Sequence, residues 1–378
     1  MTNLNISVIT ELDSFEFLQY EWNTLLEKSN SQSVFLTWDW LYAWWCEFRQ
    51  DRLLNIVIVR DKFGILVGIG PFCINKKLGV VPIRVLSYLG VSPISSEYLD
   101  IIVDPAVESE VSSLVFQQVE SGMIAWDCMI LTDMLDSACA YKHLTKKSFQ
   151  KDFIVEERVA QECPFLRLDS PLDEIFKRFN SQLRSTIKRR TKKLEKRDAE
   201  LRIVKNDKEL PLFLSKLFAL HQKCWNARGV KGNFSDDKIK SFHKNATRYL
   251  LSNDFLKLCI LQVDGDAISA LYAFQYKKTL FYYQSGFNPE WSSYSPGTVL
   301  MWKCISDASD RGMAEFDYLR GAEPYKKLWS NNSRKTLTLT RIPRGRFTVR
   351  VYFFLVKIKK CLKSIVIKMI SMLRKLKD

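Results

Sequence analysis

The sequence predicts an α/β chain of two tandem units, in which mixed, mostly antiparallel sheets are flanked by helices. Two observations support this class. Short strand patterns separated by tight turns are followed by a helix and then by a further strand, and this order occurs twice. The first occurrence fills residues 1–168 and the second fills 169–343, with Pro171 near the boundary. Residues 344–378 form a separate basic segment.

Strands and helices alternate through the first unit. Apolar, β-branched runs predict strands at 6–9, 55–60, 65–74, 84–89, 98–103 and 127–132. Helical spacing of apolar residues marks 15–28, 38–48, 107–120 and 138–147. The helix at 38–48 carries four tryptophans. We expect them to pack between the two units or, alternatively, to line a sugar-binding groove.

The second unit contains a predicted antiparallel meander. Three strands, 256–263, 267–276 and 279–286, are separated by the tight turns Asp264-Gly265 and Lys277-Lys278. A helix that begins at Pro296, a strand around Phe316 and a last strand follow the meander. The remaining predicted elements are helices at 173–179, 183–197, 210–226 and 235–251 and strands at 201–204 and 336–342.

Composition narrows the class of protein. The chain has 378 residues, of which 47% are hydrophobic, so it can bury a sizeable core. Its nine cysteines are scattered and never spaced as CxxC, which is typical of reduced thiols in a cytosolic protein. The three histidines share no ligand spacing with a cysteine, so we expect no metal site. The first residues lack the pattern of a signal peptide.

The net charge of +15 is concentrated at the C-terminus. Residues 341–378 hold twelve Lys and Arg residues and one acid, whereas the rest of the chain is nearly balanced. From Ile358 onward, apolar residues fall on one helical stripe and lysines and arginines on the opposite arc. A basic amphipathic helix of this kind predicts contact with an anionic membrane surface through residues 347–378. The alternative is a helix docked on the body or on a partner.

The stretch from Tyr294 to Trp329 carries the densest set of candidate functional residues. A helix that starts on Ser295-Pro296-Gly297 presents backbone N–H groups and the positive end of its dipole, which suits a phosphate. A short strand with Asp317 and a turn at Gly321 come next. A basic and aromatic cluster closes the stretch, with Glu323, Tyr325, Lys326 and Lys327.

Four segments of this chain resemble the GNAT acetyltransferase superfamily. They are the tryptophan-rich TWDWLYAWW at 37–45, the basic LRSTIKRRTKKLEK at 183–196, YYQSGFNPEWSSYSPGTVLMWKCI at 282–305 and FDYLRGAEPYKKLW at 316–329. More closely, the chain resembles the acetyltransferase domain of CelD-type polysaccharide-biosynthesis proteins, which are related to Fem-type peptidoglycan aminoacyltransferases. The specific match covers roughly 170–330, and the first half fits the tandem arrangement of such proteins more loosely.

The resemblance implies that an acyl-CoA (acetyl-CoA) co-substrate lies between two splayed central strands. Its pyrophosphate is expected at Ser295, Pro296, Gly297 and Thr298. The glycine-rich phosphate loop of most GNAT proteins, Gln/Arg-x-x-Gly-x-Gly/Ala, is absent here. An ordinary capped helix is the alternative interpretation of the Ser-Pro-Gly start.

Acyl transfer to an amine needs a base, donors to the oxyanion and an acid for the leaving thiolate. Asp317 is the first candidate base and Glu323 the second, while Tyr283 is the candidate acid. The alternatives are that Asp317 only orients Arg320 or Lys326 and that Tyr283 is a core tyrosine. Arg320, Tyr325 and Lys326 are candidate substrate-binding residues, and Lys326 is alternatively a surface lysine.

These observations predict a cytoplasmic N-acyltransferase, with a possible peripheral position at the inner face of the cell membrane. It would transfer an acyl group from acyl-CoA to an amine on a sugar or on a glycan or envelope precursor, with lipid-linked precursors among the candidates. The first unit is expected to be a degenerate copy. One alternative is a Fem-type aminoacyltransferase that uses aminoacyl-tRNA, the only role in which a nucleic acid is expected. The other is a non-catalytic scaffold of polysaccharide assembly.

Overall fold

The computed structural model describes residues 4–77, 81–147, 150–321, 323–330 and 332–355. Its strands are β1 Asn5–Ile9, β2 Arg52–Arg60, β3 Leu66–Lys77, β4 Ile83–Tyr88, β5 Ile102–Val103, β6 Cys128–Met134, β7 Phe153–Arg167, β8 Glu200–Ile203, β9 Leu256–Val263, β10 Asp266–Tyr276, β11 Thr279–Phe287, β12 Glu315–Asp317 and β13 Asn332–Pro343. Its helices are α1 Leu12–Glu16, α2 Gln19–Lys28, α3 Trp38–Phe48, α4 Glu108–Glu120, α5 Cys139–Leu144, α6 Leu172–Arg178, α7 Ser181–Glu195, α8 Leu210–Asn226, α9 Asp237–Ser252, α10 Pro296–Asp310 and α11 Pro324–Lys327. The predicted α/β class, mostly antiparallel with flanking helices, is confirmed.

The two halves share one continuous sheet. Its strand order is β1-β2-β3-β4-β6-β13-β7-β12-β11-β10-β9-β8, with β5 beside β3. Only the pairs β4–β6 and β11–β12 are parallel among the described strands. A single sheet therefore runs through both halves.

Two long strands produce this continuity. The last strand, β13, comes from the second half of the sequence but lies between β6 and β7, which belong to the first half. The β7 strand in turn pairs with β12, so that Asp317 lies opposite Phe165. A chain cut near residue 168 would therefore break backbone hydrogen bonds on both sides of the cut.

Side-chain caps fix where several helices begin. Thr37 accepts a hydrogen bond from the Trp40 N–H at the start of α3, and Asn180 does the same for Leu183 in α7. The predicted strand at 98–103 is shorter, because only Ile102–Val103 pairs with β3. Tyr98 has a left-handed backbone with φ of 60°, which does not fit a regular strand.

The tryptophan-rich helix α3 packs between the halves, as predicted. Trp40 is fully buried, and its indole N–H donates to the Ser96 hydroxyl at 2.9 Å. Its ring meets Phe242 edge-on at 4.8 Å and Phe274 at 5.2 Å, both from the second half. These edge-to-face contacts add to the apolar burial that joins α3 to α9 and β10.

The C-terminal segment begins as a helix on the body of the protein. Residues 347–355 are helical, and Val349 is fully buried in a small cluster with Ile83, Val85 and Cys128. The predicted amphipathic stripe from Ile358 onward lies outside the described residues. Among the described helices, none is both long and apolar enough to cross a membrane.

We expect Trp40→Ala to lower the free energy of unfolding by about 3–5 kcal/mol. Loss of the indole ring creates a large cavity and leaves the buried Ser96 hydroxyl without the N–H that donates to it. Urea denaturation measures this change. Tyr20→Ala is the control, since the Tyr20 side chain is 82% exposed and its loss should cost less than about 0.5 kcal/mol. Equal effects of the two substitutions would contradict the shared core.

Candidate functional site

A cleft opens where two neighbouring strands part. The β11 and β12 strands pair only from Thr279 to Phe281. Beyond that point β11 stays with β10, with Phe287 opposite Ser269. The chain after β12 stays with β7 instead, because the Gly321 N–H donates to the Glu162 carbonyl at 3.0 Å. The two central strands therefore splay apart, as the GNAT resemblance implies.

The cleft has a volume of about 540 Å³ and takes residues from both halves of the chain. The second half supplies β10, β11, α8, α10 and the segment after β12. The first half supplies Ser95 and Glu97, from the loop that precedes β5. Seven of the predicted site residues line it, namely Tyr283, Gly297, Thr298, Arg320, Glu323, Tyr325 and Lys326. Ser295, Pro296 and Asp317 do not line it.

The start of α10 forms one end of the cleft. Ser295 adopts a left-handed backbone with φ of 48°, and its side chain makes no capping bond. Pro296 occupies the first turn, where a missing N–H costs nothing. A Cβ added to Gly297 would meet only the Phe287 ring, at 3.8 Å. Packing within the chain therefore does not require glycine here, and space remains for a ligand to approach the backbone.

Basic side chains of α7 and of the turn that follows it lie against the turn before α10. The Lys193 ammonium sits 3.9 Å from the centre of the Tyr294 ring, and Arg197 lies 6.0 Å from it. Arg190 donates to the Ser293 carbonyl. Positive charge is thus gathered near the N-terminus of α10, where an anion is already favoured by the helix dipole. The predicted basic helix is positioned by these contacts, although its outer face is solvated.

Asp317 does not line the cleft. It is fully buried, its Oδ2 accepts a hydrogen bond from the Tyr98 hydroxyl at 2.8 Å and its Oδ1 accepts from the Leu319 N–H at 2.7 Å. Burial raises its pKa to about 7, against the opposing effect of Arg334. The carboxylate therefore holds the turn after β12. This geometry does not support Asp317 as the base, nor as a partner of Arg320 or Lys326.

Arg320 connects the cleft to the first half of the chain. Its Nε donates to Glu97, and its Nη2 lies 3.1 Å from the Asp133 carboxylate. Burial lowers the pKa of Arg320, but the two carboxylates outweigh this and the net shift is upward. Arg320 is thus held as a charged bridge between the halves. Glu97 was not identified from the sequence, because it belongs to the other half and carries no motif.

The turn after Gly321 folds over the cleft. Lys326 is 4% exposed, donates to the Arg320 carbonyl and pairs with Glu323 at 3.0 Å. The interpretation of Lys326 as a surface lysine is therefore wrong. Gly321 has φ of 107°, and a Cβ there would come within 2.4 Å of the Glu323 carboxylate. Only glycine fits this bend. Tyr325 is 40% exposed at the rim of the cleft.

Two adjacent tyrosines of β11 border the cleft from opposite faces of the strand. Tyr283 packs 5.4 Å from Tyr272 and 5.5 Å from His243 in the shared aromatic core. Burial raises the pKa of Tyr283, so the phenol retains its proton. Tyr282 points the other way and shares a hydrogen bond with the Ser285 hydroxyl. Tyr282 is thus a second candidate phenol, and the alternation of side chains along a strand is the signal that separates the two.

Metal ligands do not converge in this region. Within the described ranges, no group of three or more His, Cys, Asp or Glu side chains has the spacing to hold a metal ion. His221 Nε2 accepts a hydrogen bond from the Trp225 indole N–H at 2.8 Å. Burial lowers the pKa of His221 to about 4, so the ring is neutral near pH 7.

The position of Asp317 predicts a specific pH dependence of stability. Its pKa is near 4 in the unfolded chain and about 7 when folded. Its stabilising contribution is therefore complete below about pH 4 and is lost as the pH rises towards 7. We expect the stability advantage of the wild type over Asp317→Asn to shrink by about 2–3 kcal/mol between about pH 5 and pH 8, measured by urea denaturation.

Asp207→Asn is the matched control, because Asp207 is exposed. The difference between wild type and this control should change by less than about 0.5 kcal/mol over the same interval. If the two Asp variants show the same pH dependence, the buried environment of Asp317 is not as described.

Comparison with known proteins identifies the superfamily. Residues 181–327 match the family described as acetyltransferase (GNAT) domain. No curated protein matches the chain in sequence. Among solved structures, FemX is 11% identical and aligns with a TM-score of 0.61, covering 88% of this chain and 96% of its own.

Two further structures share the fold at equally low identity. A conserved protein of unknown function from Bacteroides thetaiotaomicron is 11% identical with a TM-score of 0.54, and 89% of this chain aligns with 100% of it. The C-terminal domain of a putative lysylphosphatidylglycerol synthetase from Agrobacterium fabrum is 10% identical with a TM-score of 0.52, covering 91% and 96%. The predicted closer resemblance to CelD-type proteins remains a prediction. The chain thus contains a GNAT acetyltransferase-type domain at residues 181–327, and its overall fold is similar to that of FemX.

Proposed function

We propose that this protein is an N-acyltransferase that transfers an acyl group from acyl-CoA to an amine on a sugar or on a glycan or envelope precursor. The GNAT domain supports the acyltransferase class. The cleft between β11 and β12 is the observation that most supports acyl-CoA as donor and an amine as acceptor. It has an anion-favouring helix start at one end and a buried carboxylate–guanidinium pair at the other.

The donor end of the cleft suits a phosphate-bearing thioester. Gly297 and Thr298 line the cleft at the start of α10, and the space beside Gly297 is open. Lys193 and Arg197 lie near the preceding turn. Backbone N–H groups and these cations would hold the pyrophosphate of CoA. The thioester end would then extend between the splayed strands.

The acceptor end is polar. Arg320 and Glu97 face one another across the two halves, and Glu323 pairs with Lys326 in the covering turn. Carboxylates and hydroxyls in one small space suit an amine that also carries hydroxyl groups, as an amino sugar does. We propose that Arg320, Tyr325 and Lys326 bind this acceptor.

A Fem-type aminoacyltransferase is the second candidate. The fold similarity to FemX and to the domain of a putative lysylphosphatidylglycerol synthetase favours it. The donor would then be an aminoacyl-tRNA, and the solvated face of α7 would contact the nucleic acid through Lys188, Arg189 and Lys192. A non-catalytic scaffold that binds neither donor is the third candidate.

Isothermal titration with acetyl-CoA separates these candidates. We expect micromolar binding by the wild type and at least about a tenfold weaker affinity for Gly297→Trp, whose ring would fill the space at the start of α10. Gly297→Ala is the control, because its Cβ meets only the Phe287 ring, at 3.8 Å. Salt-sensitive tRNA binding without acetyl-CoA binding would favour the Fem-type candidate, and binding of neither donor would favour the scaffold.

We also propose that the basic C-terminus brings the enzyme to an anionic membrane surface at the inner face of the cell membrane, where a lipid-linked acceptor would lie. The sequence pattern from Ile358 onward supports this. A chain ending at residue 355 should lose most of its sedimentation with vesicles rich in phosphatidylglycerol, and phosphatidylcholine vesicles serve as the control. The cut spares Val349, which is buried in the body. Unchanged association would contradict the proposal.

A further inference from the structure

Glu97 is the most deeply buried carboxylate that borders the cleft. It lies on the loop of the first half that precedes β5 and is 1% exposed. The loop is held by two backbone contacts, since the Ser33 hydroxyl donates to the Glu97 carbonyl at 3.0 Å and Arg320 Nη2 donates to the Ser96 carbonyl at 3.3 Å. The position of the side chain is therefore fixed by residues from both halves.

The two oxygens of Glu97 differ in their surroundings. Oε1 accepts a hydrogen bond from Arg320 Nε. Oε2 is buried and has no hydrogen-bond partner among the described residues. A buried carboxylate oxygen without a donor is costly to a folded protein, because it has lost water and gained nothing in exchange. Such an atom next to a cleft indicates that a ligand supplies the missing donor.

We propose that Glu97 Oε2 accepts the proton of the acceptor ammonium and is the general base of the reaction. This inference rests on the proposed function, because it requires an amine acceptor in the cleft. It assigns a catalytic residue to the first half of the chain, which the sequence predicts to be a degenerate copy. The active site is therefore built jointly by the two halves.

The proposed acyl transfer conserves atoms and charge. Glu97 removes one proton from the acceptor ammonium, and the freed nitrogen lone pair forms a C–N bond to the thioester carbonyl carbon. The carbonyl electrons move to oxygen and return, and the C–S bond breaks with its electron pair on sulfur. The nitrogen loses its second proton as the amide forms, and that proton neutralises the thiolate. The products are the amide, free CoA thiol and a protonated Glu97, which releases its proton to solvent.

The charges around Glu97 suit this role. Burial raises its pKa, and Asp133 acts in the same direction, whereas Arg320 and Lys326 oppose both. The balance leaves a carboxylate that is more basic than an ordinary glutamate. Tyr283 borders the same space and keeps its own proton. Of the other candidate bases, Asp317 does not line the cleft and both of its oxygens accept hydrogen bonds, and Glu323 is half exposed and paired with Lys326.

The test compares two acceptors that differ in their need for a base. Glucosamine is largely an ammonium ion near neutral pH, whereas hydroxylamine is already unprotonated. Glu97→Gln keeps the shape and the oxygen that accepts from Arg320 but loses the charge. We expect kcat/KM for acetylation of glucosamine by acetyl-CoA to fall about 100-fold or more, while hydroxylamine acetylation stays within about threefold of wild type. Acetyl-CoA affinity, measured by titration calorimetry, should be unchanged.

Two variants serve as controls. Glu156→Gln changes an exposed glutamate on β7 and should leave both rates unaltered. Glu97→Asp keeps the charge and should retain more glucosamine acetylation than Glu97→Gln. Urea denaturation of each variant reports whether it is folded.

The outcomes separate the inference from the function it rests on. Equal rates for wild type and Glu97→Gln with glucosamine, or equal losses with both acceptors, would overturn the role of Glu97 as base. A wild type that binds acetyl-CoA but acetylates neither amine would overturn the amine-transfer assignment and the base with it. A wild type that does not bind acetyl-CoA would overturn the donor in the proposed function, and the inference would fall with that donor.

Discussion

A strand of three residues, Glu315–Asp317, is the constraint on which the rest of this structure depends. It pairs with β11 on one side and with β7 on the other, so it completes the sheet between the two halves. It is also short. Because pairing with β11 ends at Asp317, the next residues follow β7 while β11 follows β10, and the cleft opens between them.

Asp317 explains how such a short strand ends in a defined way. The Leu319 backbone is left-handed with φ of 54°, an unusual conformation for a leucine. Asp317 accepts a hydrogen bond from the Leu319 N–H and another from the Tyr98 hydroxyl, which comes from the first half. A buried carboxylate is thus used to fix a strained turn. The turn in turn directs Arg320 towards Glu97 rather than into solvent.

Arg320 forms a bridge between the two halves of the chain at the cleft. A guanidinium buried between two carboxylates stabilises a fold only when the hydrogen-bond geometry is close to ideal, because each ion loses its hydration. Here Arg320 meets Glu97 and Asp133 from the first half and, through its carbonyl, Lys326 from the second. The bridge therefore fixes the relative position of the halves at the cleft. One Glu97 oxygen has no hydrogen-bond partner within the described part of the chain, which is unfavourable for stability and suits a proton acceptor.

The continuous sheet changes how the duplicated pattern is understood. Two similar units that fold alone would each close their own sheet, yet β13 crosses from the second half into the first and lies between β6 and β7. The aromatic core crosses the same boundary, since Trp40 packs on Phe242 and Phe274. The shape of the cleft and the stability of the core consequently both depend on contacts between the two halves.

Local pattern determined much of this protein. Turn residues, helical spacing and strand alternation predicted the meander, the helix at Pro296, the strand at Phe316 and the superfamily, because these signals depend on neighbours in sequence. They also placed most of the predicted site residues in one cleft. Tertiary structure alone decided that Asp317 is buried outside the cleft, that Lys326 is buried and that Glu97 is brought to Arg320. The positions of Asp317 and Glu97 depend on pairing between residues more than 200 positions apart, Tyr98 with Asp317 and Glu97 with Arg320, and no local signal encodes them.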